Sequence, residues 1–349
     1  MLGKLLKEYV PGLHRLAMQI NKWYIHNFQS KSPYIVDHLG GSFKTYLNDP
    51  ASADVVDKLK TGMDKESRHT VDVIVQRMLT YPDTKDRRTD KNFSNVAGGL
   101  LAAEIQSQKR LVNKHLKVSK RRYKMVPRKF DESVFYYHHG MRGLPSRVLR
   151  YIEGSDFIDC GAYIGDSALV LHDYGCRIMY SIEMSKKSIE KYKRNMKLNG
   201  ISEHKYEIIQ LGIADRDDRG PISLPDTGSA GFSVFRHTSK YDFIEVERKS
   251  LDYIVDKYKI HPKLIKADIE GAAKDLVLGG VKALTTYRPV LSLAIYHNPG
   301  EFFEIKPYLE DLLGDYTFMV RKLDSAVHLN HIHSEVILIA YPNETLGGV

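Results

Sequence analysis

Three short stretches of this chain carry residues that could do chemistry together. The first is Phe157-Ile-Asp-Cys-Gly-Ala-Tyr-Ile-Gly-Asp166. Two apolar residues deliver Asp159, Gly161 and Gly165 follow four apart, and Ser167-Ala-Leu-Val-Leu171 opens a helical pattern. Glycine reaches positive φ and carries no Cβ, so such a turn lets a backbone approach a nucleotide-like ligand closely. The same pattern also makes tight strand-to-helix turns that bind nothing, so the residues downstream decide its meaning. Glu183 stands about 18 residues past Gly165. There it ends the next apolar run, where a carboxylate can accept hydrogen bonds from both hydroxyls of a ribose. The alternative for Glu183 is a surface acid favouring a helix dipole. The second stretch is Lys266-Ala-Asp268-Ile-Glu270-Gly271. On a strand with a side-chain period of two, Lys266, Asp268 and Glu270 point to one side. Burying them unpaired is costly, so they are expected to pair or to face a cleft. The third is Ile295-Tyr-His297-Asn298, where a neutral imidazole beside a cleft takes a proton near pH 7. Its alternative is a capping or core histidine.

The elements that must position these residues alternate from Asp156 onward. Strands are expected at Asp156–Cys160, Ile178–Glu183, Tyr206–Leu211, Leu264–Asp268 and Pro289–Ile295. Helices are expected between them, through about Asp173, at Lys186–Leu198 (stopped by Asn199-Gly200), at Ala272–Leu284 and at Phe302–Leu313. Residues 220–250 read as loops and short β segments, among them Phe243–Val246. A last pair, Tyr316–Arg321 and Glu335–Ala340, lacks an intervening helix and must be antiparallel. The pattern predicts an α/β fold with a doubly wound, seven-stranded, mostly parallel sheet and an antiparallel strand at one edge. Ligands of such sheets sit at the carboxyl ends of the strands, at the switch point, which is where all three stretches fall.

Residues 1–130 read differently. Leu2, Leu5, Leu6, Tyr9 and Leu13 recur at helical spacing, interrupted by Pro11. Lys65–Tyr81 and Asn95–Val118 read as longer helices, the second weakened at Gly98-Gly99. Pro127 and the aromatic cluster Phe130–Tyr137 mark the passage into a second unit at 131–349. Residues 1–150 hold 28 Lys and Arg against 14 Asp and Glu, whereas the whole chain carries +9. The excess peaks between Lys109 and Lys129, where Arg121, Arg122 and Lys124 sit among seven other basic residues and no acid. Such a stretch meets phosphates on nucleic acid, a glycan precursor or a lipid surface, or else is a solvated helix face followed by a linker. Only Tyr123 and His115 interleave the charges, so a nucleic-acid partner is not expected. With two cysteines, Cys160 and Cys176, no apolar span and no leader-like start, a cytoplasmic setting is expected.

The chain resembles the FkbM family of S-adenosylmethionine (SAM)-dependent methyltransferases. The residues that carry the resemblance are Asp159–Asp166, Ile182-Glu183, Leu264-Ile-Lys-Ala-Asp-Ile-Glu-Gly-Ala272, Leu276–Gly280 and Ile295-Tyr-His297, over about Phe135 to Pro342. It implies a class I methyltransferase fold with SAM over the carboxyl ends of strands one and two. Asp159, Gly161 and Gly165 would line the methionine part, with Ala162, Tyr163, Asp166 and Ser167 beside them. Glu183 would hold the ribose, with Met184 next to it. The loop Gly212-Ile213-Ala214 would border the adenine. Tyr163 stands where many members have Asn, and Ala273 where Glu is common; the latter weakens any acid cluster for a metal, and none is expected.

The expected activity is O-methylation of a hydroxyl on a glycan, sugar precursor or secondary metabolite. Such a hydroxyl needs a base within hydrogen-bond reach. His297 is the expected base, the pair Asp268 and Glu270 orient it, and Lys266 holds a carboxylate or lowers the pKa of the base. Residues 1–130 are assigned to acceptor specificity or to a homodimer contact. Two rivals are an RNA methyltransferase using the basic half, and a scaffold that keeps the fold without turnover. The first lacks Asn/Asp-Pro-Pro-aromatic and Pro-Cys motifs, and the second is opposed by the intact glycine turn with Glu183.

Overall fold

The computed structural model describes residues 40–79, 100–226, 228, 243–324 and 334–345. The periodic run at Leu2–Leu13 and the Gly98-Gly99 weak point lie outside them. Helices α1 (Gly40–Leu47), α2 (Val55–Lys60), α3 (Lys65–Leu79), α4 (Leu100–Arg122), α5 (Glu132–Phe135) and α6 (Ser146–Ile152) precede the sheet. Then come β1 (Asp156–Cys160), α7 (Asp166–Leu171), β2 (Met179–Ile182), α8 (Lys186–Leu198), β3 (Tyr206–Ile209), β4 (Gly212–Ile213), β5 (Ile222–Pro225), β6 (Phe243–Val246) and β7 (Arg248–Lys249). The chain continues through α9 (Leu251–Tyr258), β8 (Pro262–Ala267), α10 (Ala273–Leu278), α11 (Val281–Tyr287), β9 (Val290–Ala294), α12 (Pro299–Leu312), β10 (Tyr316–Lys322) and β11 (Val336–Pro342).

Seven strands form one sheet in the order β10-β11-β9-β8-β1-β2-β3. β11 is antiparallel to both β9 and β10, while β1 pairs in parallel with β2 and β8. The last strand, β11, is the antiparallel one, as expected, and it lies one place inside the edge, between β9 and β10. The chain winds from β1 to β3 in one direction, then restarts at β8 and winds the other way. The switch point is the β1–β8 seam.

Apolar side chains alternate across the sheet, as a period of two demands. Phe157 faces α5–α8, whereas Ile158 and Cys160 face α9–α12. The helices α1–α3 join the second layer: Phe43 packs edge-on against Phe302, with ring centroids 5.6 Å apart, and Tyr46 stacks on Phe303 at 5.4 Å. α3 also covers the edge strand, since Val320 N donates to Ser67 Oγ at 2.9 Å and Arg321 pairs with Asp64 at 2.6 Å. Capping the outermost strand in this way removes a free ladder edge.

Three expectations are corrected in detail. The helix expected at Ala272–Leu284 is two, α10 and α11, broken at Gly279-Gly280. Those glycines let the chain pass close to Ser250 and Leu251: a Cβ on Gly280 would lie 2.7 Å from Leu251 Cδ2. The segment Gly212–Ala214 is not a loop. Its first two residues form β4, paired in parallel with β7 through Gly212 N to Glu247 O at 2.8 Å. Helix α4 runs on past Val118 to Arg122.

Candidate active site at the switch point

β1 ends in Asp159 and β8 carries Lys266 directly beside it in register. Both side chains are buried, and Lys266 Nζ lies 2.9 Å from Asp159 Oδ1. This ion pair is the contact that meets the buried Asp159 carboxylate from β8. Lys266 Nζ also donates to Gly161 O at 3.1 Å, which ties the glycine turn to β8 from below. Nearby carboxylates reinforce the Lys266 charge: its pKa is raised despite burial, chiefly by Asp159 and Asp268.

The two glycines are required by the protein itself. Gly161 sits at φ 76°, and a Cβ there would fall on the carbonyl oxygen of Asp268. Gly165 sits at φ 80°, and its Cβ would meet Met196 Cε and Tyr192 Cδ2 at 2.8 Å each. The first seats the loop after β8 against the turn, and the second seats α8 against α7. Between them Tyr163 holds φ 45°. That left-handed region costs a bulky residue more than Asn.

Glu183 follows β2 and reaches back over the turn. Oε2 accepts from Tyr163 N and Oε1 from Ser185 N, both at 2.8 Å. Burial pushes its pKa up to about 7, against the pull of those two amides and of Lys266. Each oxygen keeps a second lone pair for another donor. Met184 lies beside β4, since a Cβ on Gly212 would come 3.1 Å from Met184 Sδ. Of the twelve residues assigned to the cofactor, Gly161, Tyr163, Glu183 and Met184 retain accessible surface, whereas Asp159, Ala162, Gly165, Asp166, Ser167, Gly212, Ile213 and Ala214 are buried. Asp166 opens α7, and burial raises its carboxyl to about 6.

The loop after β8 and the end of β9 form a second cluster. His297 Nε2 lies 3.5 Å from Asp268 Oδ1 and 3.6 Å from Glu270 Oε2. Its Nδ1 lies 3.5 Å from Glu301 Oε2. The His297 side chain is 10% exposed, and neither ring nitrogen makes a hydrogen bond. Burial lowers its pKa, but Glu301, Asp268 and Glu270 outweigh burial and raise it to about 9. Sequence reading expects a neutral imidazole here, whereas the three surrounding carboxylates favour its protonated form near pH 7. The alternation of Lys266, Asp268 and Glu270 is corrected too. β8 stops at Ala267, Glu270 turns left-handed at φ 52°, and Lys266 pairs with Asp159 below the turn.

Residues 159–325 match the model of the methyltransferase FkbM domain. The matched stretch is 167 of the chain's 349 residues. Among solved structures, it resembles the methyltransferase FkbM of Methylobacillus flagellatus KT at 16% identity and a TM-score of 0.54. That match covers 83% of this chain but 59% of the other, so the chain spans about three fifths of that relative. An rRNA methylase from Streptococcus thermophilus matches at 11% identity and a TM-score of 0.35, covering 61% of this chain and 98% of its own. A Streptococcus mutans chain described as a methyltransferase in complex with SAH matches at 11% identity and a TM-score of 0.34, with the same coverage.

Several residues around these strand ends escape sequence reading. Glu301 is fully buried, and its Oε1 accepts from Ala273 N at 2.7 Å. A carboxylate from α12 thus stands next to position 273. A signal existed: Asn298-Pro-Gly-Glu301 is an N-cap pattern, and Asn298 Oδ1 accepts from Glu301 N at 2.9 Å. His139 had no such signal. It arrives from the segment after α5 at φ 50°, buried, with Nε2 2.8 Å from Ser167 Oγ and its carbonyl accepting from Ser292 Oγ at 2.8 Å. Burial keeps it neutral. Glu335, just before β11, interacts with Asp268, and burial with that charge raises it to about 7.

Proposed function

We propose that the protein is a SAM-dependent O-methyltransferase acting on a hydroxyl of a glycan, sugar precursor or secondary metabolite. The observation that carries this reading is Glu183. Its carboxylate is held by two backbone amides across the glycine turn, at the carboxyl end of β2 and beside the switch point. The donor set fits the cofactor: a half-buried acid with spare lone pairs suits two vicinal ribose hydroxyls, and Gly161 and Tyr163 offer accessible backbone beside it. Met184 and β4 would border an adenine ring. When bound, SAM would supply an electrophilic methyl group on a sulfonium.

The chain's own residues handle the acceptor and its proton. His297 carries a proton near neutral pH, so it does not take another. The carboxylates of Asp268 and Glu270, 3.5 and 3.6 Å from its Nε2, are the bases within reach. His297 holds them in place, and Glu301 holds His297 from behind. Asp268 and the exposed Glu270 face the acceptor, which loses its hydroxyl proton to one of them. Lys266 and Asp159 sustain the turn beneath.

The test is transfer from methyl-labelled SAM to a panel of free sugars and polyols. The reading expects label in a product that resists mild alkali and hydroxylamine, as an ether does and an ester does not. It expects Asp268→Asn or Glu270→Gln to lower kcat at least about 100-fold, within the range of general-base contributions. Alkali-labile label, or label confined to RNA, would refute it.

A further inference from the structure

The exposed face of α4 is unusual for its straightness. Val112, Leu116 and Ser119 are the buried stripe that seats the helix on the protein. On the opposite side Arg110, Lys114, Lys117 and Arg121 recur at spacings of four, three and four, all exposed. At 3.6 residues per turn they form one line along the helix, about 16 Å long at 1.5 Å per residue. None of the four makes an ion pair with a described residue, in contrast to Arg122, which pairs with Asp173. Beside this line stand two exposed aliphatics two turns apart, Leu111 at 55% and Val118 at 54% exposure.

We infer that this face docks on an anionic lipid surface, a role independent of the methyl-transfer reading. A charged bilayer offers a flat array of negative headgroups with hydrocarbon just beneath. Four aligned cations fit the first layer, and Leu111 and Val118 reach the second. A nucleic-acid backbone would satisfy the cations but gives the two aliphatics nothing to bury. It would also call for exposed rings to stack on bases. The rings of this segment are turned inward: His115 packs edge-on against Tyr136, and Tyr123 packs on Phe135 with its hydroxyl on Asp173. The helix binds along its surface and does not insert; among the described residues no helix is long and apolar enough to cross a membrane.

Co-flotation of the full chain with phosphatidylcholine vesicles, with and without phosphatidylserine, tests this. Binding is expected to the anionic vesicles only and to weaken with added salt. Each cation near such a surface contributes about fivefold to partitioning, the equivalent of about 1 kcal/mol. Lys114→Glu with Arg121→Glu should therefore lower it at least about 25-fold, with thermal unfolding unchanged because neither side chain packs on the protein. Leu111→Ser with Val118→Ser should weaken binding while leaving its salt dependence in place. Absence of flotation at low salt would overturn the inference. So would flotation indifferent to charge reversal, or a charge reversal that abolishes binding to single-stranded RNA while flotation persists.

Discussion

Replacing Glu301 by Gln should lower the pH at which His297 loses its proton. Burial alone would hold the imidazole below its ordinary value of 6.5, yet its carboxylate neighbours raise it to about 9. The net difference corresponds to about 3 kcal/mol in favour of the charged ring, at roughly 1.4 kcal/mol per pH unit. Glu301 is foremost among the groups that raise it, from 3.5 Å at Nδ1. Glu301→Gln keeps the shape and the acceptor for Ala273 N but deletes the charge. With Asp268 and Glu270 still present, the midpoint should fall by at least about one unit. The assay is NMR of the imidazole C2 protons from pH 5.5 to 10, with His297→Asn identifying the resonance. The same shift should appear in the alkaline limb of methyl transfer, because the proposed mechanism needs His297 charged. The stability linkage has a definite sign. A folded-state pKa above the unfolded one contributes stability that is present below about 6.5 and lost as pH rises through about 9; in Glu301→Gln the loss is complete at lower pH. A wild-type midpoint at or below 6.5, or one unmoved by Glu301→Gln, would refute the reasoning.

Three further outcomes are expected. Lys266→Met leaves Asp159 buried without its partner, and should cost about 3–5 kcal/mol in urea unfolding; adding Asp159→Asn should restore much of it, and additive losses would count against a paired role. Glu183, raised to about 7 by burial, accepts ribose hydroxyls best when ionised. SAM affinity should therefore rise with pH up to about 7 and release a proton on binding, measurable from the buffer dependence of the calorimetric heat; Glu183→Gln should abolish that dependence. Gly161→Ala forces a Cβ onto Asp268 O at positive φ and should destabilise the fold by at least about 2 kcal/mol by thermal unfolding, even in the absence of ligand.

The strand ends were readable because their residues obey local rules. Asp156–Cys160 and Lys186–Leu198 fall where apolar runs and the Asn199-Gly200 stop place them. Glu183 was legible as an acid closing an apolar run. What the sequence could not carry was partnership across the sheet. Lys266 looked like a companion of Asp268 because they are two apart, but the register of β8 on β1 gives it to Asp159. The His297 charge depends on Glu301, whose approach comes from α12 packing on the loop after β8. His139 reaches Ser167 only through three successive left-handed residues, His138, His139 and Gly140, a course no periodicity announces. The glycines were assigned to ligand approach, whereas tertiary contacts with Asp268, Tyr192 and Met196 already demand them.

Calorimetric titration of SAM into the wild-type chain and into Glu183→Ala tests the central claim most directly. Losing an acid that accepts two charge-assisted hydrogen bonds is worth about 2 kcal/mol or more. The account predicts saturable binding of SAM to the wild type and at least about 30-fold weaker binding to a folded Glu183→Ala. No heat of binding at millimolar SAM for the folded wild type, or equal affinity for the two proteins, would contradict it.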